Sequence, residues 1–412
     1  LILSDGLTLL ICLVQISRNI LCFPIKDEAE EIIGVAQLCN KINGAYFTEE
    51  DEKLAQIFSV YCCISIVHSL TCERLKKAKI HNKLANEIMS YHMMTVDDKS
   101  VQSLVSRTNV NLDRVLVDWD KFCSLPRNVI LSESEEFIFG LVEQLDIVGF
   151  LQVPKYYLAK FILMTRLGYR DTPYHNWTHA FTVAHFSFLC IKNFSLIEKK
   201  HLTQLEATCL FLAALCHDID HRGTTNSFQV KSKSVLASLY SSEGSVLERH
   251  HLSQMICIIS SENCTLFENF EGEEYTKVLD ILKHIILSTD LAHHFKILDN
   301  ITRMANSGFD PQDVKHHDLL LCILMTSSDL SDQTKSWSNV VSVAELVYQE
   351  FFRQGDLEKA MGNQIDPSMD RERACIPNLQ INFLDHVVIP CYTLVLLLIV
   401  KKLKVYDIFY VT

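Results

Sequence analysis

Three histidines fall within eleven residues of the stretch "PYHNWTHAFTVAH", Pro173 to His185. His175 and His179 are four apart, so on a helix they share one face, a turn from each other. A second dense point is "CHDIDHRGTTNSF", where His217 and Asp218 are adjacent and His221 follows four later. A third is "MTSSDLSDQTKSW", where Asp329 ends an apolar run that begins at Leu319. Eleven of the 17 histidines lie between His175 and His294. A single histidine on an apolar helix is more often a satisfied core residue. Histidine and carboxylate together in apolar surroundings need partners, because an unpaired buried charge costs several kcal/mol. A divalent metal serves several of them at once.

The donor types favour a two-metal reading. Neutral imidazole with carboxylate suits zinc, and oxygen-rich shells suit magnesium or manganese. His217 would bind one ion while Asp218 bridges to the second, with His179 and Asp329 expected at the same centre. Two ions roughly 3.5–4 Å apart hold a hydroxide between them and clamp a phosphate oxygen. Metal-bound water can have a pKa near 7, which provides a nucleophile without a separate base. His175, one turn from His179, is placed to protonate the leaving alkoxide. His185, His221, His250 and His251 are candidates for holding ligands by their other ring nitrogen, or plain helix residues. Cys216, beside His217, reads as packing.

The elements that must position these groups read as helices. Beyond residue 133 apolar residues recur at helical spacing in "EEFIFGLVEQL", "HLTQLEATCLFLAALC", "YTKVLDILKHIILSTDL", "KHHDLLLCILMTSSDL" and "VAELVYQEFF". No strand-like alternation persists there, which argues an all-α domain over 133–412. Upstream, "ILCFPI" and "IIGVAQLC" flank the polar "KDEAEE" and read as a β-hairpin. Thr48 then caps a helix with acids in its first turn. No Gly or Pro occurs between Ala45 and Leu125, and the spacing predicts a long amphipathic helix from Glu50 to Met94. A helix of that length connects domains and pairs with a partner; two shorter helices with a bend are the alternative. The weaker pattern from Asn109 to Ser132 reads as a linker.

With 412 residues, 48% of them hydrophobic, the chain can bury a large core and form more than one domain. A net charge of −12 and the absence of a long basic run exclude nucleic-acid binding by phosphate neutralisation. Fifteen cysteines without a CxxC pair, mostly inside apolar runs, read as reduced thiols of a cytoplasmic protein. "LTLLICLV" (Leu7 to Val14) and "VVIPCYTLVLLLIV" (Val387 to Val400) are too short for a transmembrane span, and the second reads as a buried core helix.

The set "YHNWTHA", "CHDIDHRGTTNSF", "LYSSEGSVLERHH", "STDLAHH", "TSSDLSDQTKSW", "FFRQGDLEKAMGN" and "LQINF" resembles the catalytic domain of the class I 3′,5′-cyclic-nucleotide phosphodiesterases. The likeness is greatest to the cyclic-GMP-stimulated, dual-specificity branch that carries GAF domains. It implies a mainly α protein: an all-α, multi-helix, HD-type catalytic domain over 133–412, preceded by a truncated α+β GAF remnant over 1–53 and a connecting helix and linker over 54–132. The tail from about residue 392 departs from the family pattern. The resemblance makes His175 the general acid, His179, His217 and Asp329 zinc ligands, and Asp218 the bridge to magnesium, or manganese, at the second site. His221 and Glu248 would support the second metal from behind. Gln380 would hydrogen-bond the purine and Phe383 stack on it, with Val347 and Phe351 as the opposite wall. Tyr174, Leu291, Asp332 and Gln333 would line the pocket.

The activity implied is hydrolysis of cyclic AMP and cyclic GMP to 5′-monophosphates, ending cyclic-nucleotide signals. The partners implied are these substrates and a second copy of the chain, joined through the connecting helix. Peripheral membrane association would come from residues outside this sequence. Two other classes fit parts of the pattern: another HD-type metal phosphohydrolase, and a catalytically impaired dimerisation module.

Overall fold

A computed structural model of the chain describes residues 2–3, 18–27, 30–92, 95–107, 110–240 and 244–399. The apolar run Leu7 to Val14, Met93 and Met94, and the tail 400–412 lie outside the described residues. The chain forms two compact units, Leu1–Ser90 and Tyr91–Thr412.

In the first unit, β1 (Ile2–Leu3), β2 (Ile20–Lys26) and β3 (Ile32–Cys39) form an antiparallel sheet in the order β1-β3-β2. The expected hairpin is present, with Ile20 opposite Cys39 and Ile25 opposite Gly34. Period-two alternation turns Phe23, Ile25 and Ala36 inward, where they meet Ala55. Ala55 belongs to one unbroken helix, Glu49–His92, of 44 residues. The Thr48 hydroxyl accepts from Asp51 N at 3.4 Å, and the Asp51 carboxylate accepts from Thr48 N at 2.7 Å. That reciprocal arrangement satisfies backbone donors at the helix start. Leu54, Ile57, Phe58, Tyr61 and Ile64 are exposed along this helix.

Among the described residues, the second unit has helices and no strand, around one core. The helices Trp177–Asn193, Gln204–Cys216, Val314–Asp329 and Ile389–Ile399 run through its centre. Every residue from Glu206 to Cys216 is buried, which explains why that run is apolar on all faces. The core begins earlier than the sequence pattern placed it. Val101, Leu104, Leu112 and Leu116 are buried in the same core as Phe137 and Leu141. The Trp119 ring lies 5.8 Å from Phe188, and Phe122 lies 5.3 Å from Phe186. The segment read as a linker therefore wraps the helices. Its anchors are irregularly spaced aromatic and aliphatic residues, which leave no periodic signal.

The C-terminal run is the buried core helix expected, but it is longer than expected. A helix runs from Ile376 to Ile399, with one π turn at Leu384–Val388, longer than the fourteen apolar residues alone. Cys391, Tyr392, Val395, Leu396 and Leu398 are buried in the core, and Tyr392 Oη donates to Ser327 O at 2.6 Å. The run lacks polar positions because it is enclosed. Both this helix and Glu49–Cys72 are long and apolar enough to cross a membrane by length and composition; 44% and 6% of their apolar windows, respectively, are buried within the protein.

Candidate active site

Each candidate metal ligand sits at a helix end that the local sequence fixes. Asn176 caps Trp177–Asn193, its Oδ1 accepting from Thr178 N at 3.0 Å and His179 N at 3.3 Å. His179 thus lies in the first turn, facing inward. Thr203 and Glu206 form a capping box that starts Gln204–Cys216, and His217 follows its last turn. Asp329 closes Val314–Asp329.

The turn after His217 is braced from three sides. Tyr169 Oη donates to Leu215 O at 2.9 Å and accepts from Asp218 N at 3.3 Å. Asp220, at a left-handed φ of 63°, accepts from Arg170 Nε at 2.5 Å and from His250 Nε2 at 2.7 Å. Gly168 allows the close approach, since a Cβ there would sit 2.5 Å from Ile219 Cδ1.

These braces bring four donor groups to one point. His179 Nε2 lies 3.0 Å from Asp329 Oδ1, 3.3 Å from His217 Nε2 and 3.6 Å from Asp218 Oδ2. His217 Nε2 lies 3.3 Å from Asp218 Oδ2 and 3.5 Å from Asp329 Oδ1. Ligand atoms about 2.0–2.2 Å from one zinc ion stand about 3.0–3.5 Å from each other, so the set fits a common cation. His217 Nδ1 donates to Ala214 O at 2.9 Å, leaving Nε2 as the lone-pair nitrogen aimed at that point. A second group of possible donors, Asp218, His221 and His251, lies within 4.8 Å. His251 Nδ1 donates to Ile219 O at 2.6 Å, and its Nε2 faces Asp218 Oδ1 at 3.7 Å.

His175 stands beside this centre, its ring 4.0 Å from that of His221. Its Nδ1 donates to Glu350 Oε2 at 2.5 Å, and Glu350 Oε1 accepts from Tyr174 N at 2.8 Å and His175 N at 2.9 Å. Burial alone would lower the His175 pKa, but the Glu350 hydrogen bond and the surrounding carboxylates raise it above the usual value. Burial would raise Glu350, and the same hydrogen bond instead brings it down to about 2. The Glu350 carboxylate thus holds the imidazole through Nδ1 and favours its protonated form.

A cavity of about 510 Å³ opens above the centre. Tyr174, His175, His221, Glu248, Leu291, Asp329, Gln333, Val347, Phe351, Gln380 and Phe383 all line it. Gln380 Nε2 donates to Gln333 Oε1 at 2.7 Å, so the two amides form one polar edge. Burial pushes Glu248 up to about 7, against the Asn226 amide that hydrogen-bonds both its oxygens.

The family model for 3′5′-cyclic nucleotide phosphodiesterase matches residues 174–407. The chain belongs to that phosphodiesterase family. The match runs past residue 392, where the sequence reading ended the likeness. A cGMP-specific 3′,5′-cyclic phosphodiesterase of Drosophila yakuba is 35% identical over 386 residues, 92% of this chain and 33% of the relative. The protein of the same description from Drosophila melanogaster is 36% identical, over 92% of this chain and 34% of its own length. This chain thus spans about a third of the length of those phosphodiesterases. The solved structure of LmjPDEB1 in complex with IBMX superposes with a TM-score of 0.68 and 29% identity, covering 74% of this chain and 92% of the other.

Some expected residues stand elsewhere. Asp332 is absent from the cavity wall; it is buried behind His179, in a bidentate pair with Arg127 at 2.9 and 2.6 Å. At Leu330 the α-helix gives way to a 3₁₀ turn, Leu330–Thr334, in which Gln333 lines the cavity and Asp332 does not. His185 donates to Trp119 O at 2.6 Å and packs against Phe137; it is a core histidine that burial holds down at about 3. His250 braces Asp220. Glu350 was not singled out, although it sits between Val347 and Phe351 on the helix Trp337–Ala360. An acid inside the apolar "YQEFF" was its one signal.

Proposed function

We propose that the chain hydrolyses 3′,5′-cyclic nucleotides, both cyclic AMP and cyclic GMP, to 5′-monophosphates. One observation carries this: His179, His217, Asp218 and Asp329 meet beneath a cavity that also holds a carboxylate-paired histidine and the Gln380/Phe383 pair. The family membership supports the reaction, and the cGMP-specific relatives support cyclic GMP as one substrate. A glutamine amide offers one donor edge and one acceptor edge, which match either purine.

Zinc is assigned to His179, His217, Asp218 and Asp329, and magnesium or manganese to the Asp218 side, near His221 and Glu248. Bound there, the cations supply Lewis-acid charge for the phosphate and lower the pKa of water. The chain's own residues do the rest. Phe383 and Gln380 hold the base, against Val347 and Phe351. Water adds to phosphorus, the P–O3′ bond breaks, and His175 gives its Nε2 proton to O3′. Glu350 keeps that imidazole charged and oriented until then.

The same reading includes three assignments of context. The three-stranded sheet, with the start of the long helix, is the end of a GAF domain over 1–53. The exposed Leu54, Ile57, Phe58, Tyr61 and Ile64 support a homodimer through the connecting helix, because their spacing suits a coiled-coil seam. Every cysteine among the described residues is unpaired, which supports a reducing, cytoplasmic setting.

The test is metal analysis coupled to turnover with cyclic AMP, cyclic GMP and a nucleoside monophosphate. Hydrolysis of the cyclic substrates by zinc-containing protein is expected. Metal-loaded chain that cleaves only the monophosphate, or nothing, would defeat the proposal.

A further inference from the structure

We propose that Arg127 and Asp332 form a positioning pair that holds the metal ligand His179 by its far ring nitrogen. The turn before the catalytic helices would then govern the affinity of the metal centre. This rests on the assignment of His179 as a zinc ligand.

His179 is fully buried, and its two ring nitrogens meet different surroundings. Nε2 faces Asp329 and His217. Nδ1 is buried and makes no hydrogen bond. The carboxylate facing it is Asp332, with Oδ2 at 4.0 Å. That separation exceeds a hydrogen bond, and an approach of about 1 Å closes it. A cation drawing on Nε2 would leave the ring proton on Nδ1, where it needs an acceptor. His217 has already solved that problem with the Ala214 carbonyl. For His179 the fold offers a carboxylate instead.

Asp332 is held for this task. Arg127 Nε donates to Oδ1 at 2.9 Å and Arg127 NH2 to Oδ2 at 2.6 Å. The fork fixes the plane of the carboxylate, which a lysine's point charge would not. Asn339 Nδ2 donates to the Asp332 carbonyl at 3.4 Å, fixing the backbone as well. Arg127 itself sits in the short turn Pro126–Asn128, 205 residues before its partner. Its guanidinium also lies 5.3 Å from the Tyr174 ring, next to His175. Neither Arg127 nor Asp332 lines the substrate cavity. Moving this turn would therefore loosen a metal ligand, and it reaches the cavity wall only through the Tyr174 ring.

The experiment titrates zinc against a chromophoric chelator, using the purified full chain. The double substitution Asp332→Asn with Arg127→Gln removes both charges, so no lone buried charge remains. Arg127→Lys keeps the charge and loses the fork. Val278→Ala, a core change on the helix Glu273–Leu287, which carries no site residue, reports the effect of lost stability alone. The zinc dissociation constant is expected to rise ten- to a hundredfold in the double variant, as for other groups behind metal-bound histidines. It should rise less in Arg127→Lys and stay unchanged in Val278→Ala. Wild-type affinity in the double variant, or an equal loss in Val278→Ala, would overturn the inference. Should the double variant fail to fold, Arg127→Lys decides, and unchanged affinity there overturns it equally. If the wild-type chain binds no zinc, the metal-site assignment itself has failed, a result distinct from all of these.

Discussion

Glu350→Gln isolates what the carboxylate does for His175. The substitution keeps the shape of the side chain and a carbonyl oxygen for the Tyr174 and His175 amides, now held at 2.8 and 2.9 Å. It removes the charge 2.5 Å from His175 Nδ1. A hydrogen bond to a charged group contributes about 1.5–3 kcal/mol. Coulomb attraction between charges about 4 Å apart is about 4 kcal/mol at an effective dielectric of about 20, before desolvation is subtracted. Taking the lower range, protonated His175 loses about 1.5–3 kcal/mol of relative stability, or about 10- to 150-fold in protonated fraction wherever the group titrates. In the proposed reaction His175 must carry its proton to act as the acid, so the loss has a sign in pH. Turnover of the variant should approach wild type in acid and fall progressively behind as pH rises. The assay is kcat against pH with a cyclic nucleotide, from about pH 6 to about pH 9. A rate loss of the same factor at every pH, with the alkaline limb unmoved, would refute the reasoning.

Three further outcomes follow from the same geometry. Asp329→Asn weakens the centre that Asp329 shares with His179 and His217 at 3.0 and 3.5 Å; zinc content and turnover should fall together, with affinity reduced by more than about a hundredfold, since even groups behind a ligand are worth 10- to 100-fold. Phe383→Ala removes one wall of the cavity; stacking is worth about 1–3 kcal/mol per base, so KM should rise about 5- to 150-fold with zinc content unchanged. Glu350 is lowered from 4.5 to about 2, so its stabilising contribution is present above pH 4.5 and fades as pH falls toward 2. Urea midpoints of wild type and Glu350→Gln should converge across that window, and a constant gap would count against the pairing.

The candidate metal centre was legible in the sequence because ligand chemistry restricts residue type and helix geometry restricts spacing. His175, His179, His217, Asp218 and Asp329 all stand out as polar groups at the ends of apolar runs, and the structure gathers all five. Glu350 and Arg127 carry no such mark. Each acts through a tertiary contact, spanning 175 residues to His175 and 205 to Asp332. No local pattern encodes a pairing at that distance. Asp332 was legible as a site residue but not in its direction, because a change from α to 3₁₀ winding at Leu330 decides which way each side chain points. The wrapping segment that carries Trp119 and Phe122 was unreadable for a related reason. Its anchors dock singly into a core made by other elements.

The placement of the site follows from how the protein distributes burial. The two imidazoles and Asp329 sit at the ends of helices that are nearly solid core, as Glu206–Cys216 and Leu320–Ser328 show. Close-packed interiors resist small displacements, so the distances among these donor atoms are set by the same contacts that hold the fold. The proposed base slot is built differently. Gln380 and Phe383 lie on Ile376–Phe383, a helix with no fully buried residue, followed at once by a π turn. The donor-atom distances are thereby set in the most closely packed part of the protein, whereas Gln380 and Phe383, to which the proposed function gives the purine, lie on a helix with no fully buried residue. His175 bridges the two. It sits just ahead of the buried helix Trp177–Asn193 but is held in place by Glu350, from the helix Trp337–Ala360 that carries Val347 and Phe351 of the cavity wall.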